Sequence, residues 1–292
     1  MSSSAWVDML GGEVCYFDAG GIRTRCLHAG SGEPLILLHG MGGHAEAYIK
    51  NIMPLAAKCH VYAIDMVGHG LTGKPAINYA VPDFVDHVLK FIKAIGAEKV
   101  HIQGESLGGW VSAWLAMEHP EKVRSLILNT SAGLQLTEQP PEAEAQAVER
   151  LRKLTKDAAA EPTRESVRRR LEWLFLDPKK NVTDELVEIR YAIYKQPETQ
   201  RAMQTIVEQM TGGGRKPYML TRDRLARIKA PTMIVWTRHN PTTPWQVGEM
   251  AHGIIAGSQF HVMDDCGHWP QWEQADVFNK LMLDFLSSSP KK

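Results

Sequence analysis

The stretch "KVHIQGESLGGWVSAWLAMEHP", Lys99 to Pro120, constrains the fold more than any other part of the chain. It opens as a short β-like run, turns at a glycine-flanked serine and continues directly as an apolar helical segment. A G-x-S-x-G pattern in that setting places Ser106 on a sharp strand-to-helix turn, with its hydroxyl exposed at the end of a sheet. Gly104 and Gly108 suit such a turn because a Cβ there would obstruct the close approach of strand and helix. The N-terminus of the helix also favours negative charge developing nearby.

The same alternation recurs along the chain. "PLILLHG" (Pro34 to Gly40), "HVYAIDM", "VRSLILNTS" and "PTMIVWTR" are short apolar runs without alternation, as expected of strands buried on both faces of a parallel sheet. "SQFHVMDDCGH" reads as the last strand, and "VCYFDAGGIRTRCLHAG" as an opening antiparallel hairpin. In "PDFVDHVLKFIKAIG", Phe84, Val88, Phe91, Ile92 and Ile95 share one helical face, as do Phe278, Leu281, Met282 and Phe285 near the C-terminus. Strands alternating with helices predict an α/β fold with a mostly parallel, eight-stranded sheet and right-handed crossovers. From about Gly133 to Thr221 no good strand occurs. This predicts a core of residues 1–132 and 222–292, with a helical lid inserted over 133–221.

A chain of 292 residues is long enough for such a core plus an insertion. Its 33 Lys and Arg balance its 33 Asp and Glu, so charge gives no reason to expect a nucleic-acid or membrane surface. The one basic cluster, "RESVRRR" (Arg164 to Arg170), reads as a solvated helix face. No apolar run approaches the roughly 18 residues that span a bilayer. The opening "MSSSAWVDMLGGEV" lacks the basic-then-apolar order of a signal peptide. A cytoplasmic protein is therefore expected, with reduced thiols at Cys15, Cys26, Cys59 and Cys266. No metal-ligand spacing is present, so neither metal nor cofactor is expected, and the anticipated partner is a small-molecule substrate.

A serine nucleophile needs a base and an oxyanion hole. "LLHGMGG" (Leu37 to Gly43) can present a backbone N–H to an oxyanion, with Met41 as first donor and the Leu107 amide, next to the nucleophile, as second. The base is expected at His268 in "DDCGHWPQWE", after the last strand and before the final helix. His39 and His69 read as structural turn residues. His44 and His101 have no supporting context.

"HGMGG", "IDMVGHG", "GESLGG" and "CGHWPQWE" stand in the order and spacing of the α/β-hydrolase superfamily, which the chain resembles over nearly its full length. It is most similar to meta-cleavage-product hydrolases, serine enzymes that hydrolyse a C–C bond in 2-hydroxy-6-oxo-dienoates from aromatic degradation. The resemblance implies that Gly42, Glu105, Arg190 and Trp269 line the substrate, with Arg190 near its carboxylate. The pattern departs in two places. The family's elbow carries Asn before the serine where this chain has Glu105, and its oxyanion turn is longer than "HGMGG". Esters or lactones are therefore alternative substrates. A homodimer is expected by analogy alone.

In the superfamily the third triad member is an acid just after "PTMIVWTR". "WTRHNPTTPW" has Asn240 in that slot. Its carbonyl oxygen can accept from the imidazole, but it brings no charge, and its NH2 could face the ring and select the wrong tautomer. Four readings stay open: an inactivated site, a working triad with Asn as orienter, a carboxylate supplied from elsewhere, or a misplaced acid. Asp264 and Asp265 read as an acidic loop, and Glu105 as facing the pocket rather than His268. A member of the fold that binds ligand without turnover is the rival from outside enzymes.

Overall fold

The structure is a computed structural model that describes residues 4–138 and 142–288. The first three residues of the N-terminal stretch and residues 139–141 of the lid segment lie outside it. Eight strands form one sheet: β1 Glu13–Asp18, β2 Arg23–Ala29, β3 Glu33–Leu38, β4 Cys59–Ile64, β5 Val100–Glu105, β6 Val123–Asn129, β7 Thr232–Thr237 and β8 Gln259–Met263. Their order across the sheet is β1-β2-β4-β3-β5-β6-β7-β8. The β1–β2 hairpin is antiparallel, as its alternation predicts, and β2 also runs antiparallel to β4. Every other neighbour pair is parallel.

Composition explains this division. β5 and β7 are buried along their whole length, and β3, β4 and β6 nearly so, because helices cover both faces. β1 is mostly exposed, with charged Glu13 and Asp18 at its two ends, as suits an edge. The helix Val81–Ala94 turns Phe84, Val88, Phe91 and Ile92 into the core. The C-terminal segment breaks into Pro270–Glu273 and Ala275–Ser288, and the second piece buries Phe278, Met282 and Phe285. Burying each such side chain stabilises the fold by about 1.5–3 kcal/mol.

Between β6 and β7 the described residues carry helices Glu142–Ala160, Arg164–Leu174, Asp184–Tyr194 and Pro197–Thr211, with a shorter one at Pro178–Asn181. A parallel bridge between Leu134 and Leu220 closes the base of this segment. The segment is latched to the core above the ends of β3 and β5. Tyr194 Oη donates to Gly42 O at 2.7 Å, Arg170 Nη2 donates to Met41 O at 2.7 Å, and His268 N donates to Leu174 O at 2.7 Å.

"RESVRRR" does not form a purely solvated face. Arg164, Arg168 and Arg169 pair with Glu188, Asp184 and Glu165, but Arg170 turns inward and is 2% exposed. It shares the buried helix face with Val167, Leu171 and Leu174. Helical spacing carried that signal, masked by three neighbouring charges of the same sign.

Candidate active site

Ser106 sits where β5 ends and the helix Leu107–Glu118 begins. Its backbone has φ 53° and ψ −113°, a conformation that costs a non-glycine residue about 1–3 kcal/mol and persists only where the surroundings enforce it. The surroundings do. A Cβ on Gly104 would lie 2.1 Å from the Gly108 carbonyl carbon, and one on Gly108 would lie 2.1 Å from Leu38 O. Leu107 is the first helical residue, so its N–H has no carbonyl one turn back and points out of the helix end.

The turn after β3 is shaped by histidine and arginine. His39 is fully buried, hydrogen-bonds Gly40 O through Nδ1 at 2.8 Å and accepts Met66 N–H through Nε2 at 3.1 Å. Burial pushes its pKa down to about 4, so it is a neutral structural group. The Met41 carbonyl is pinned by Arg170. Gly42 departs from the expectation that it lines the substrate. Its carbonyl accepts from Tyr194, and a Cβ there would meet the same hydroxyl at 2.3 Å, so Gly42 docks the helical segment between β6 and β7. The cavity itself is bounded by Gly40, Met41, Gly43, Glu105, Ser106, Leu151, Arg170, Leu174, His268 and Trp269. Its free volume is ≈ 10 Å³, room for about one water.

His268 is held by its backbone from two sides. Its carbonyl accepts from Thr130 Oγ1 at 3.0 Å, and its N–H donates to Leu174 O in the helical segment between β6 and β7. Glu273 fixes the preceding loop by accepting Gly267 N–H at 2.7 Å and Leu176 N–H at 2.9 Å. Burial raises the Glu273 pKa, opposed by these backbone donors. "CGHWPQWE" thus carries its own clamp, with the glutamate five residues after the histidine.

Asn240 does lie at the imidazole, with Oδ1 2.8 Å from His268 Nδ1. The other face of the ring corrects the expectation for Glu105. Its carboxylate does not turn away from His268: Oε1 lies 2.9 Å from Nε2, while Oε2 accepts Gly40 N–H at 2.7 Å. The missing oxygen of the acid slot therefore has a counterpart, on the opposite ring nitrogen. Asp264 stays at the surface, paired with Arg238.

Arg190 is not an exposed helix charge. It is 0% exposed, and none of its three side-chain nitrogens has a hydrogen-bond partner among the described residues. Its guanidinium carbon lies 5.2 Å from the Trp269 ring centroid, a cation–π contact. Burial lowers its pKa to about 10. Arg170 keeps Nη1 unpartnered beside it. Sequence reasoning missed Arg170. No group of three or more metal-ligating side chains occurs among the described residues, and no helix there is long and apolar enough to cross a membrane.

Comparison with known proteins agrees with this geometry. A family model described as the alpha/beta hydrolase fold matches residues 33–275. A 2-hydroxy-6-oxo-6-(2'-aminophenyl)hexa-2,4-dienoic acid hydrolase of Metapseudomonas resinovorans is 32% identical, covering 98% of this chain and 93% of that protein. A 2-hydroxy-6-oxononadienedioate/2-hydroxy-6-oxononatrienedioate hydrolase of Escherichia coli is 31% identical, covering 91% of each. Among solved structures, a meta-cleavage product hydrolase from Pseudomonas fluorescens IP01 superposes with a TM-score of 0.81 at 28% identity, over 94% of this chain and 98% of that one.

Proposed function

The chain belongs to the α/β-hydrolase family, with meta-cleavage-product hydrolases among its relatives, and from that premise we propose that it is a serine hydrolase cleaving a C–C bond in a 2-hydroxy-6-oxo-dienoate. Arg190 is the observation that carries the substrate reading. An unpaired cation buried in protein costs several kcal/mol unless an anion meets it. A substrate carboxylate reaching Arg190, with Trp269 against its chain, offsets that cost and fixes the reacting end near Ser106.

In this reading the dienol first becomes the keto form, with a proton added at C5. Ser106 Oγ then attacks the C6 ketone while His268 Nε2 takes the hydroxyl proton. Amides of Met41 and Leu107 hold the oxyanion. The C5–C6 bond breaks, His268 returns its proton to the leaving carbon fragment, and a 2-hydroxydienoate departs. Water activated by His268 hydrolyses the acyl group from Ser106 and releases a carboxylic acid. Asn240 orients the ring throughout. The lid side chains Leu151 and Leu174 keep bulk water off the acyl intermediate.

The test is single-turnover kinetics with a 2-hydroxy-6-oxo-dienoate and with p-nitrophenyl butyrate. Release of a 2-hydroxydienoate that disappears in Ser106→Ala is the expected result. Reaction of the ester alone would overturn the C–C assignment, and turnover persisting in Ser106→Ala would remove Ser106 from its role.

A further inference from the structure

The hydrogen bonds around His268 fix how many protons the resting site carries. Asn240 Nδ2 donates to Thr243 O at 2.9 Å, and Oδ1 accepts from Thr242 N at 3.3 Å and Thr242 Oγ1 at 3.0 Å. The amide is thereby oriented with oxygen toward the ring, and an acceptor at 2.8 Å requires a hydrogen on Nδ1. On the other side Nε2 lies 2.9 Å from Glu105 Oε1. A bare ring nitrogen and a carboxylate oxygen are both acceptors and would repel at that distance. One further hydrogen must lie between them.

The surroundings keep the negative charge on Glu105. Its carboxylate is 1% exposed, and Gly40 N–H donates to Oε2. Arg190 lies within electrostatic reach, and Arg170 lines the same cavity. A carboxylate at position 240 would have put a second negative charge on the ring. With Asn240 there, Glu105 alone supplies it.

We propose that Glu105 is a positioning residue that holds a proton on His268 Nε2 for delivery to C5 of the substrate, and that delivery frees Nε2 to activate Ser106. This rests on the C–C hydrolase reading and deepens it. The substrate binds with its 2-hydroxyl ionised, as a carboxylate plus a dienolate oxygen. The dienolate electron pair moves through the diene and forms a C5–H bond as the Nε2–H bond breaks. C2 becomes a ketone, and His268 is left neutral, with Nδ1–H still donated to Asn240 Oδ1. Nε2 now repels the carboxylate, Glu105 turns off the ring, and the freed lone pair takes the Ser106 proton. Protons and charge balance without another reactant. Tautomerisation thus unlocks hydrolysis, and the ring cannot deprotonate Ser106 before the substrate has accepted its proton.

Glu105→Gln tests this, with Glu105→Asn as a second variant should the first fail to fold. Without substrate, 15N NMR of the wild-type ring at neutral pH should show His268 protonated at both nitrogens, and the variant should show a bare Nε2. In stopped-flow experiments, decay of the dienolate should slow by about 10²- to 10⁴-fold in the variant, the range of a lost general acid. Hydrolysis of p-nitrophenyl butyrate, which needs no carbon protonation, should accelerate. Identical ring signals in wild type and variant would overturn the proposal, and so would equal slowing of both reactions. Failure of the wild type to consume any dienoate would refute the C–C reading instead, while the NMR and ester measurements still decide where the proton is held.

Discussion

Asn240 presents its carbonyl oxygen, not its NH2, to His268 Nδ1 at 2.8 Å. The amide is locked in that sense because its NH2 is spent on Thr243 O while Thr242 donates twice to the oxygen. A neutral amide so fixed selects the imidazole tautomer that a carboxylate would select. It lacks only the charge. The geometry therefore supports an orienting asparagine over an inactivated site.

Replacing Asn240 by Asp separates charge from orientation. A second carboxylate on a ring already facing Glu105 would hold the Nε2 proton more firmly and leave less free base for Ser106, so the single-turnover rate of p-nitrophenyl butyrate hydrolysis should fall, by about 10-fold for a shift of one pKa unit. Stability should fall by about 1–3 kcal/mol in urea titration, since the new carboxylate oxygen would face Thr243 O without a hydrogen between them. A variant faster on the ester than wild type and equally stable would contradict this account of the slot.

Arg190 makes the opposite trade. Burial depresses its pKa from 12.5 to about 10, so the charged form destabilises the folded chain at all pH values below about 10 and is relieved only above it. Arg190→Met should therefore stabilise the protein by about 1–3 kcal/mol at neutral pH. It should also raise KM for a dienoate by more than 10-fold, about 1.4 kcal/mol or more of lost binding, with less effect on a neutral ester. Loss of stability, or equal damage to both substrates, would show that Arg190 serves packing instead.

The sheet and the serine-bearing strand-to-helix turn were legible because their chemistry forces local patterns. A serine at a strand-to-helix elbow needs Gly104 and Gly108 within two residues, and a doubly covered strand needs an unbroken apolar run. The position of Asn240 was legible from chain order alone. What escaped depends on where side chains end up in space. Arg170 stands in a run of basic residues, three of which pair at the surface, and only the shared face with Val167, Leu171 and Leu174 sets it apart. Glu105 reaches His268 across 163 positions of sequence, and no spacing rule governs such a contact. Gly42 looked like part of the oxyanion turn, and its partner Tyr194 lies in another helix altogether.

Tyr194 also makes the lid testable. The ≈ 10 Å³ cavity is too small for any dienoate, so substrate entry requires the helices carrying Leu151 and Leu174 to move. The Tyr194 hydroxyl ties that movement to Gly42 O. Tyr194→Phe removes one buried hydrogen bond, worth about 0.5–1.5 kcal/mol, without removing the ring. Amide exchange across Asp184–Tyr194 and Arg164–Leu174 should quicken by about 2- to 10-fold at that cost, while exchange in β5 and β6 holds. Uniform quickening across the whole chain would mean that the bond stabilises the fold and not the lid.

Acid should destabilise this protein through its buried histidines, two of which accept backbone N–H groups. His39 accepts Met66 N–H at Nε2, and His87 accepts Val67 N–H at Nδ1, so each ring has one nitrogen that must stay bare. Protonating either would set two donors face to face. Burial lowers the pKa to about 4 for His39 and to about 3 for His87, from 6.5. The unfolded chain therefore binds these protons first. Stability is fully present above about pH 6.5 and is lost as pH falls toward 4, by about 1.4 kcal/mol per unit for each group. Both rings brace the loop after β4, and His39 also shapes the oxyanion turn, so activity should fall along with stability. Urea midpoints measured from pH 7.5 to 4.5 check the slope. His87→Gln should lower it, by less than half because buried His69 is also held well below 6.5, since a neutral amide can accept Val67 N–H without titrating. A variant with the wild-type slope would place the acid sensitivity elsewhere.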